Sequence, residues 1–209
     1  MVRAFVFISF TMHVMQSNQA NSFQKNSRKL LSGNLILVGM MGSGKTTMGR
    51  ALARHLDKDF VDIDEEIQKR TGVTIPHIFD VEGEAGFRLR EMAAIRDLVG
   101  RDNMVLATGG GAVLAEQNRE VLQQNGIVIY LKASVHDLWQ RTRCDRNRPL
   151  LQTPDPYAKL AELVQQRDPL YLQVSDIVVQ SGKQSAQALM LHLVDEIDKF
   201  AAVWRTKVG

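Results

Sequence analysis

Eight residues constrain this chain more than all the others: Gly39-Met40-Met41-Gly42-Ser43-Gly44-Lys45-Thr46, which match G-x-x-x-x-G-K-[ST] at every fixed position. A loop that wraps an anion must turn its backbone N–H groups inward, and glycine permits both the dihedrals and the close approach. The helix that follows then offers its first amides and the positive end of its dipole to the same anion. The flanking sequence agrees. Leu35-Ile36-Leu37-Val38 is unbroken apolar sequence, as in a strand buried on both faces, and Thr46 to Leu56 reads as a helix. In this arrangement Lys45 gives a full charge to the β- and γ-phosphates of a nucleotide, and the Thr46 hydroxyl can ligate Mg2+. A chance match in a loop has no reason to carry that strand and helix with it.

Strand-length apolar runs continue to alternate with longer helical patterns. Phe60-Val61-Asp62-Ile63, Met104 to Ala107, Ile127 to Leu131 and Ile177-Val178-Val179 read as strands two to five. In the last helical segment Leu189, Leu193, Ile197 and Phe200 fall on one stripe. Alternation of this kind predicts βαβ units. The expected fold is α/β: a five-stranded parallel sheet with helices on both faces, the three-layer sandwich of P-loop nucleotide-binding proteins, with a mobile lid. With 209 residues, a single domain over 34–209 accounts for the strands and helices.

Composition narrows the partners. There are 26 Lys and Arg against 23 Asp and Glu, a formal charge of +3, which suits anionic substrates and falls short of a nucleic-acid signature. Cys144 is the single cysteine, so neither an intramolecular disulfide nor a thiolate zinc cluster can form; this agrees with a reducing compartment, and the expected location is the cytoplasm. Ahead of the domain, Arg3 precedes an apolar run, Ala4 to Phe10, followed by a polar tract from Gln16 to Lys29. That run is far short of the ~20 residues of a membrane span. It is a poor signal peptide too, interrupted by His13 and followed by the weak cleavage site Ser17-Asn18-Gln19-Ala20. Residues 1–33 are therefore read as an extension, disordered or lying ahead of the true start.

A P-loop alone names no acceptor, since many ATPases, GTPases and kinases share it. Three further features bear on that question. Asp62-Ile63-Asp64 closes the second strand, at the end of a parallel sheet that faces the ligand crevice. Its two carboxylates could serve Mg2+ and a substrate hydroxyl, or Asp64-Glu65-Glu66 could simply suit the first turn of a helix; Asp62 is the harder one to explain by capping. The third strand ends in Thr108-Gly109-Gly110-Gly111, whose bare backbone would let a substrate approach. Arg141, Arg143, Arg146 and Arg148 then crowd the stretch from Trp139 to Leu150, just after a helix. They suit a lid over phosphates, the alternative being a solvated basic surface or a nucleic-acid patch.

Taken in order, the P-loop, Asp62-Ile63-Asp64, Glu84-Ala85-Gly86-Phe87-Arg88, Thr108-Gly109-Gly110-Gly111-Ala112, Arg148-Pro149-Leu150-Leu151 and Arg167-Asp168-Pro169-Leu170-Tyr171 resemble the shikimate kinase family from Asn34 to about Asp198. The resemblance implies ATP-dependent phosphorylation of the shikimate 3-hydroxyl, with Mg2+, by a monomer. It further implies that Gly42, Ser43, Gly44, Lys45, Thr46 and Thr47 hold the ATP phosphates, with Thr46 and Asp62 on the metal. Asp64 would bind the ring hydroxyls as candidate base, Arg88 and Arg167 the carboxylate, and Gly110 a hydroxyl. Arg148 would close onto the phosphates, while Arg141 and Gln184 flank the adenine.

The chemistry of the side chains is consistent with that assignment, because a guanidinium fork binds a carboxylate through two parallel bonds. Taken alone, each arginine could equally be a surface residue paired with Glu91 or Asp168. Two rivals remain at this point: a kinase of the same architecture acting on gluconate or a nucleotide, and a P-loop binding module without catalysis.

Overall fold

The computed structural model describes residues 33–208 except Arg146 and Lys183, with side chains described as far as Val203. Residues 1–32 and the lid arginine Arg146 thus lie outside the described residues. Five strands form where the apolar runs predict them: β1 Asn34–Val38, β2 Asp59–Asp62, β3 Met104–Ala107, β4 Gly126–Lys132 and β5 Ile177–Gln180. They pair in the order β2-β3-β1-β4-β5, and every pairing is parallel. The helices are α1 Lys45–Leu56, α2 Ile63–Thr71, α3 Ile75–Val99, α4 Glu116–Asn125, α5 Val135–Thr142, α6 Pro156–Val174 and α7 Ala186–Val208. Short 3-10 turns lie at Ala112–Leu114 and Pro149–Leu151.

Side chains alternate across the sheet, and each face acquires its own core. Leu35, Leu37, Val105, Ile129 and Leu131 point to the side covered by Met48 and Leu52 of α1 and by Leu189, Leu193 and Ile197 of α7. Ile36, Val38, Leu106, Val128 and Tyr130 point to the other, where Ile67 of α2, Ile95 and Leu98 of α3, Leu122 of α4 and Leu160 of α6 close over them. Buried on both faces, β1 has no use for polar alternation, which is why it reads as a continuous apolar run. The strand order reverses at β1, with β3 on one side and β4 on the other, so the crevice opens beyond the carboxyl end of β1. At the opposite end, the buried side chain of Asn34 seals the sheet. Its Nδ2 donates to the carbonyls of Val99, Arg101 and Asn125, and its Oδ1 accepts from the Met104 amide.

Helix starts explain two departures from the expected boundaries. Ile63 opens α2 and does not end β2, because the Asp62 side chain accepts from the amides of Asp64 and Glu65 and so caps the helix one residue earlier. The α5 helix, capped by Ser134 on the Asp137 amide, runs through Thr142 and so takes in Arg141. By contrast α1 has no side-chain cap: its N-cap is Gly44, at φ 98, and its first amides are left to whatever enters the crevice. In α3 the helix breaks at Gly83, at φ 69, a left-handed conformation that suits glycine. The Arg90–Glu82 ion pair bridges that break.

Candidate active site

In the loop Gly39–Gly44, Gly39 and Gly42 are required for space as well as dihedral angle, and Gly44 for its dihedral angle alone. A Cβ on Gly42 would stand 2.7 Å from Thr142 Cγ2, because the end of α5 lies directly on the loop. The loop carbonyls find donors within the chain: Lys45 Nζ donates to the carbonyls of Gly39 and Met40 at 2.8 and 3.0 Å, and the Ser43 amide also donates to Met40. Ser43 is fully buried, while Gly42, Gly44, Lys45, Thr46 and Thr47 line a cavity of about 600 Å3.

Burial lowers the Lys45 ammonium to about 8, against the partial support of Asp64 and Asp62. Between that value and the ordinary lysine range the unfolded chain holds a proton that the folded chain has lost, so this group's contribution to stability rises with pH there. A polyphosphate beside Nζ reverses the shift, so binding takes a proton up. Calorimetry of ADP in buffers of different ionisation enthalpy should show almost no proton uptake at about pH 7 and close to one proton at about pH 9, with affinity falling up to ~10-fold per pH unit above pH 8. Zero uptake across that range would show that Lys45 is not shifted.

Asp62 does more than its sequence position suggests. Having capped α2 through Oδ1, it accepts the Thr46 hydroxyl on Oδ2 at 2.7 Å. Capping, the weaker explanation of Asp62 from sequence, accounts for one of its two oxygens. The Thr46–Asp62 pair presents two hard oxygen donors beside the phosphate cradle, the donor chemistry that Mg2+ prefers. Asp64, two residues on, is half-buried, and its Oδ1 has no hydrogen-bond partner among the described residues. Burial and the neighbouring Asp62 charge raise its carboxyl above the ordinary range, although Lys45, Arg148 and Arg88 pull the other way.

The glycine turn is shaped by the protein's own side chains. A Cβ on Gly109 would fall 2.1 Å from Glu91 Oε1, and one on Gly111 would fall 2.2 Å from the Arg88 guanidinium. Gly109 and Gly111 thus make room for an internal ion pair, and all three glycines border the space between Asp64 and Arg167. Arg88 donates to Glu91 Oε2 at 2.8 Å and to Glu84 Oε1 at 2.8 Å. Glu91 is 0 % exposed, so the surface pairing considered for Arg88 is in fact a buried one. Arg167 departs further from that surface reading, for Asp168 turns away to Tyr130 and Lys132. At 2 % exposure Arg167 donates Nη1 to the Gly110 carbonyl and leaves Nε without a partner. The buried hydroxyl of Tyr171, stacked on Tyr130, donates to the same carbonyl. A buried guanidinium with an unused donor suits an anion.

Arg88, Gly110 and Arg167 line a small chamber of about 70 Å3 that joins the large cavity at Asp64 and Arg148. The arginine-rich stretch divides on folding. Arg148, held by Asp145 at 2.9 Å, borders both spaces, and Arg143 is exposed. Arg141 is no loop residue: it sits in the last turn of α5 and lines the large cavity, its guanidinium held by the Gly42, Ser181 and Gly182 carbonyls and the Ser181 hydroxyl. Gln184 is exposed, bonds the Gln180 carbonyl and lines neither space. Sequence alone did not place Glu91 or Ser181 in this arrangement. The i, i+3 spacing of Arg88 and Glu91 on one helix was the available signal for the first; the second had none.

A P-loop, an acidic pair at the junction of β2 and α2 and a second chamber lined with arginine define a P-loop kinase of small molecules. The family model for shikimate kinase matches residues 41–198. The shikimate kinase of Nitrosospira multiformis is 58 % identical over 79 % of this chain and 85 % of its own length, and that of Nitrosomonas europaea 52 % over 88 % and 87 %. A solved shikimate kinase from Acinetobacter baumannii in complex with shikimate superposes with a TM-score of 0.79 at 43 % identity, over 88 % of this chain and 99 % of that one. The chain belongs to the shikimate kinase family.

Proposed function

We propose that the protein transfers the γ-phosphoryl group of ATP to the 3-hydroxyl of shikimate, giving shikimate 3-phosphate and ADP on the route to chorismate and the aromatic amino acids. The observation that carries this reading is the unpartnered Asp64 Oδ1 at the junction of the two chambers. A phosphate cradle lies on one side and a chamber with two guanidinium groups on the other. The acceptor carboxylate belongs on Arg88 and Arg167, with a ring hydroxyl near Gly110, and Asp64 is then the group that meets the reacting hydroxyl.

Phosphoryl transfer passes through a loose transition state, so positioning and charge neutralisation supply most of the catalysis. Lys45 and Arg148 neutralise the transferring group, while Asp64 orients the hydroxyl and accepts its proton late. Thr46 and Asp62 would hold Mg2+, which would supply positive charge to offset that of the phosphates. Closure of the segment that carries Arg148 excludes water, so ATP is not spent on hydrolysis. On this reading the enzyme works as a cytoplasmic monomer without nucleic acid. Among the described residues no helix is long and apolar enough to cross a membrane. Residues 34–209 form the catalytic domain and 1–33 an extension, which the intact mass of natively expressed protein checks.

A coupled ADP-release assay across shikimate, gluconate and nucleoside monophosphates tests the acceptor. The expected result is weak ATPase activity alone and a large rise with shikimate only. High ATPase activity indifferent to shikimate contradicts the proposal.

A further inference from the structure

The phosphate cradle has a requirement that its own residues do not meet. A peptide unit is planar and trans, so its carbonyl and its N–H point in opposite directions. The amide of Gly44 faces the cavity only while the carbonyl of Ser43 is held away from it. Gly44 sits at φ 98 and tolerates either sign of φ, so the local backbone does not by itself fix the orientation of the 43–44 peptide.

What holds the Ser43 carbonyl comes from far along the chain. Ser181, just beyond β5 and 1 % exposed, donates its hydroxyl to Ser43 O at 2.6 Å. The same hydroxyl accepts from Arg141 Nη1 at 3.1 Å, which uses it as donor and acceptor at once. Arg141 Nη1 also donates to the Gly42 carbonyl at 3.1 Å, and Nη2 donates to the carbonyls of Ser181 and Gly182 at 3.1 and 2.7 Å. Ser181 is itself anchored, its amide donating to Lys132 O at the end of β4. Two adjacent carbonyls of the cradle are thus gripped from the β5–α7 loop and α5.

We propose that Ser181 is a positioning residue for nucleotide binding: its hydroxyl fixes the 43–44 peptide with the Gly44 amide inward and, through Arg141, joins the β5–α7 loop to the phosphate cradle as one unit. Ser181 touches no phosphate. It acts through Ser43, and the inference rests on reading the large cavity as the nucleotide site.

Two variants of nearly equal shape isolate the hydroxyl. Ser181→Thr keeps it, while Ser181→Val has the same branching without it. Calorimetric titration with ADP, inorganic pyrophosphate and shikimate is the test. The expected result is that Ser181→Val weakens ADP and pyrophosphate about 10-fold, the effect of losing one hydrogen bond, while Ser181→Thr stays within about threefold of the parent. Shikimate binding should be unchanged in both, a readout that general damage to the fold would not spare. Equal ADP affinity in the two variants, tight or weak, overturns the proposal, as does a parallel loss of shikimate binding. A parent chain that fails to bind ADP overturns the nucleotide reading itself, and this inference with it.

Discussion

Replacing Asp64 with asparagine is expected to lower turnover by about 10^2- to 10^4-fold, the range for loss of a positioned proton acceptor, while ADP affinity stays within a few fold. Asparagine keeps the shape and one oxygen acceptor but cannot take the hydroxyl proton. The native carboxylate is well placed to take it, since burial and the adjacent Asp62 raise its proton affinity and no donor blocks Oδ1. Stability should move the other way. A carboxyl whose folded value lies above its unfolded one binds more protons folded than unfolded in the window between them, so its stability contribution falls as pH rises through that window. Above its unfolded value Asp64 is therefore a burden to the fold, and there Asp64→Asn should melt at the same temperature as the parent or higher. Lower activity with equal or greater stability distinguishes a catalytic role from a structural one. Near-normal turnover in the variant removes Asp64 from the mechanism.

The same residues show what a sequence discloses. The Gly39–Thr46 cradle was legible because its demands are local: amides turned inward, a lysine one step further, and a helix start with no cap of its own. The parallel sheet follows almost as directly, since unbroken apolar strands separated by helices call for βαβ units, although nothing in the apolar runs stated the order β2-β3-β1-β4-β5. What escaped depends on contacts distant in sequence or on a single boundary. Asp62 looked free for the site because nothing in Asp62-Ile63-Asp64 says where the strand stops; once α2 begins at Ile63, one of its oxygens belongs to the helix. Arg141 looked like part of a loop until the Ser134 cap carried α5 through Thr142. The glycines at 109 and 111 suggested room for a ligand, and the occupants are Glu91 and Arg88. Ser181 lies 138 residues from the carbonyl it holds, and no short-range pattern marks such a pairing.

The two arginines of the small chamber should fail in different ways. Arg88 is tied to Glu84 and to the buried Glu91. Removing it strands a carboxylate in the interior, and the loss should appear first as a lowered melting temperature. Arg167 has no carboxylate partner among the described residues, and burial holds its guanidinium below the ordinary arginine value. Its burial is a cost to the fold that Glu84 and Glu91 offset only in part, so Arg167→Met should leave the melting temperature near that of the parent. The same change should weaken shikimate about 100-fold, consistent with the ~2–5 kcal/mol for truncating one partner of a buried charge pair. Arg167→Lys keeps the charge but loses the planar fork and the simultaneous bond to the Gly110 carbonyl, so about 10-fold of that loss should remain. ADP binding, read in parallel, should be unchanged in both. If Arg167→Met binds shikimate as the parent does, the acceptor carboxylate lies elsewhere; if it weakens ADP equally, Arg167 supports the cradle and not the acceptor. Arg88 and Arg167 would then lose their separate functions, and the small chamber its claim to select a carboxylate.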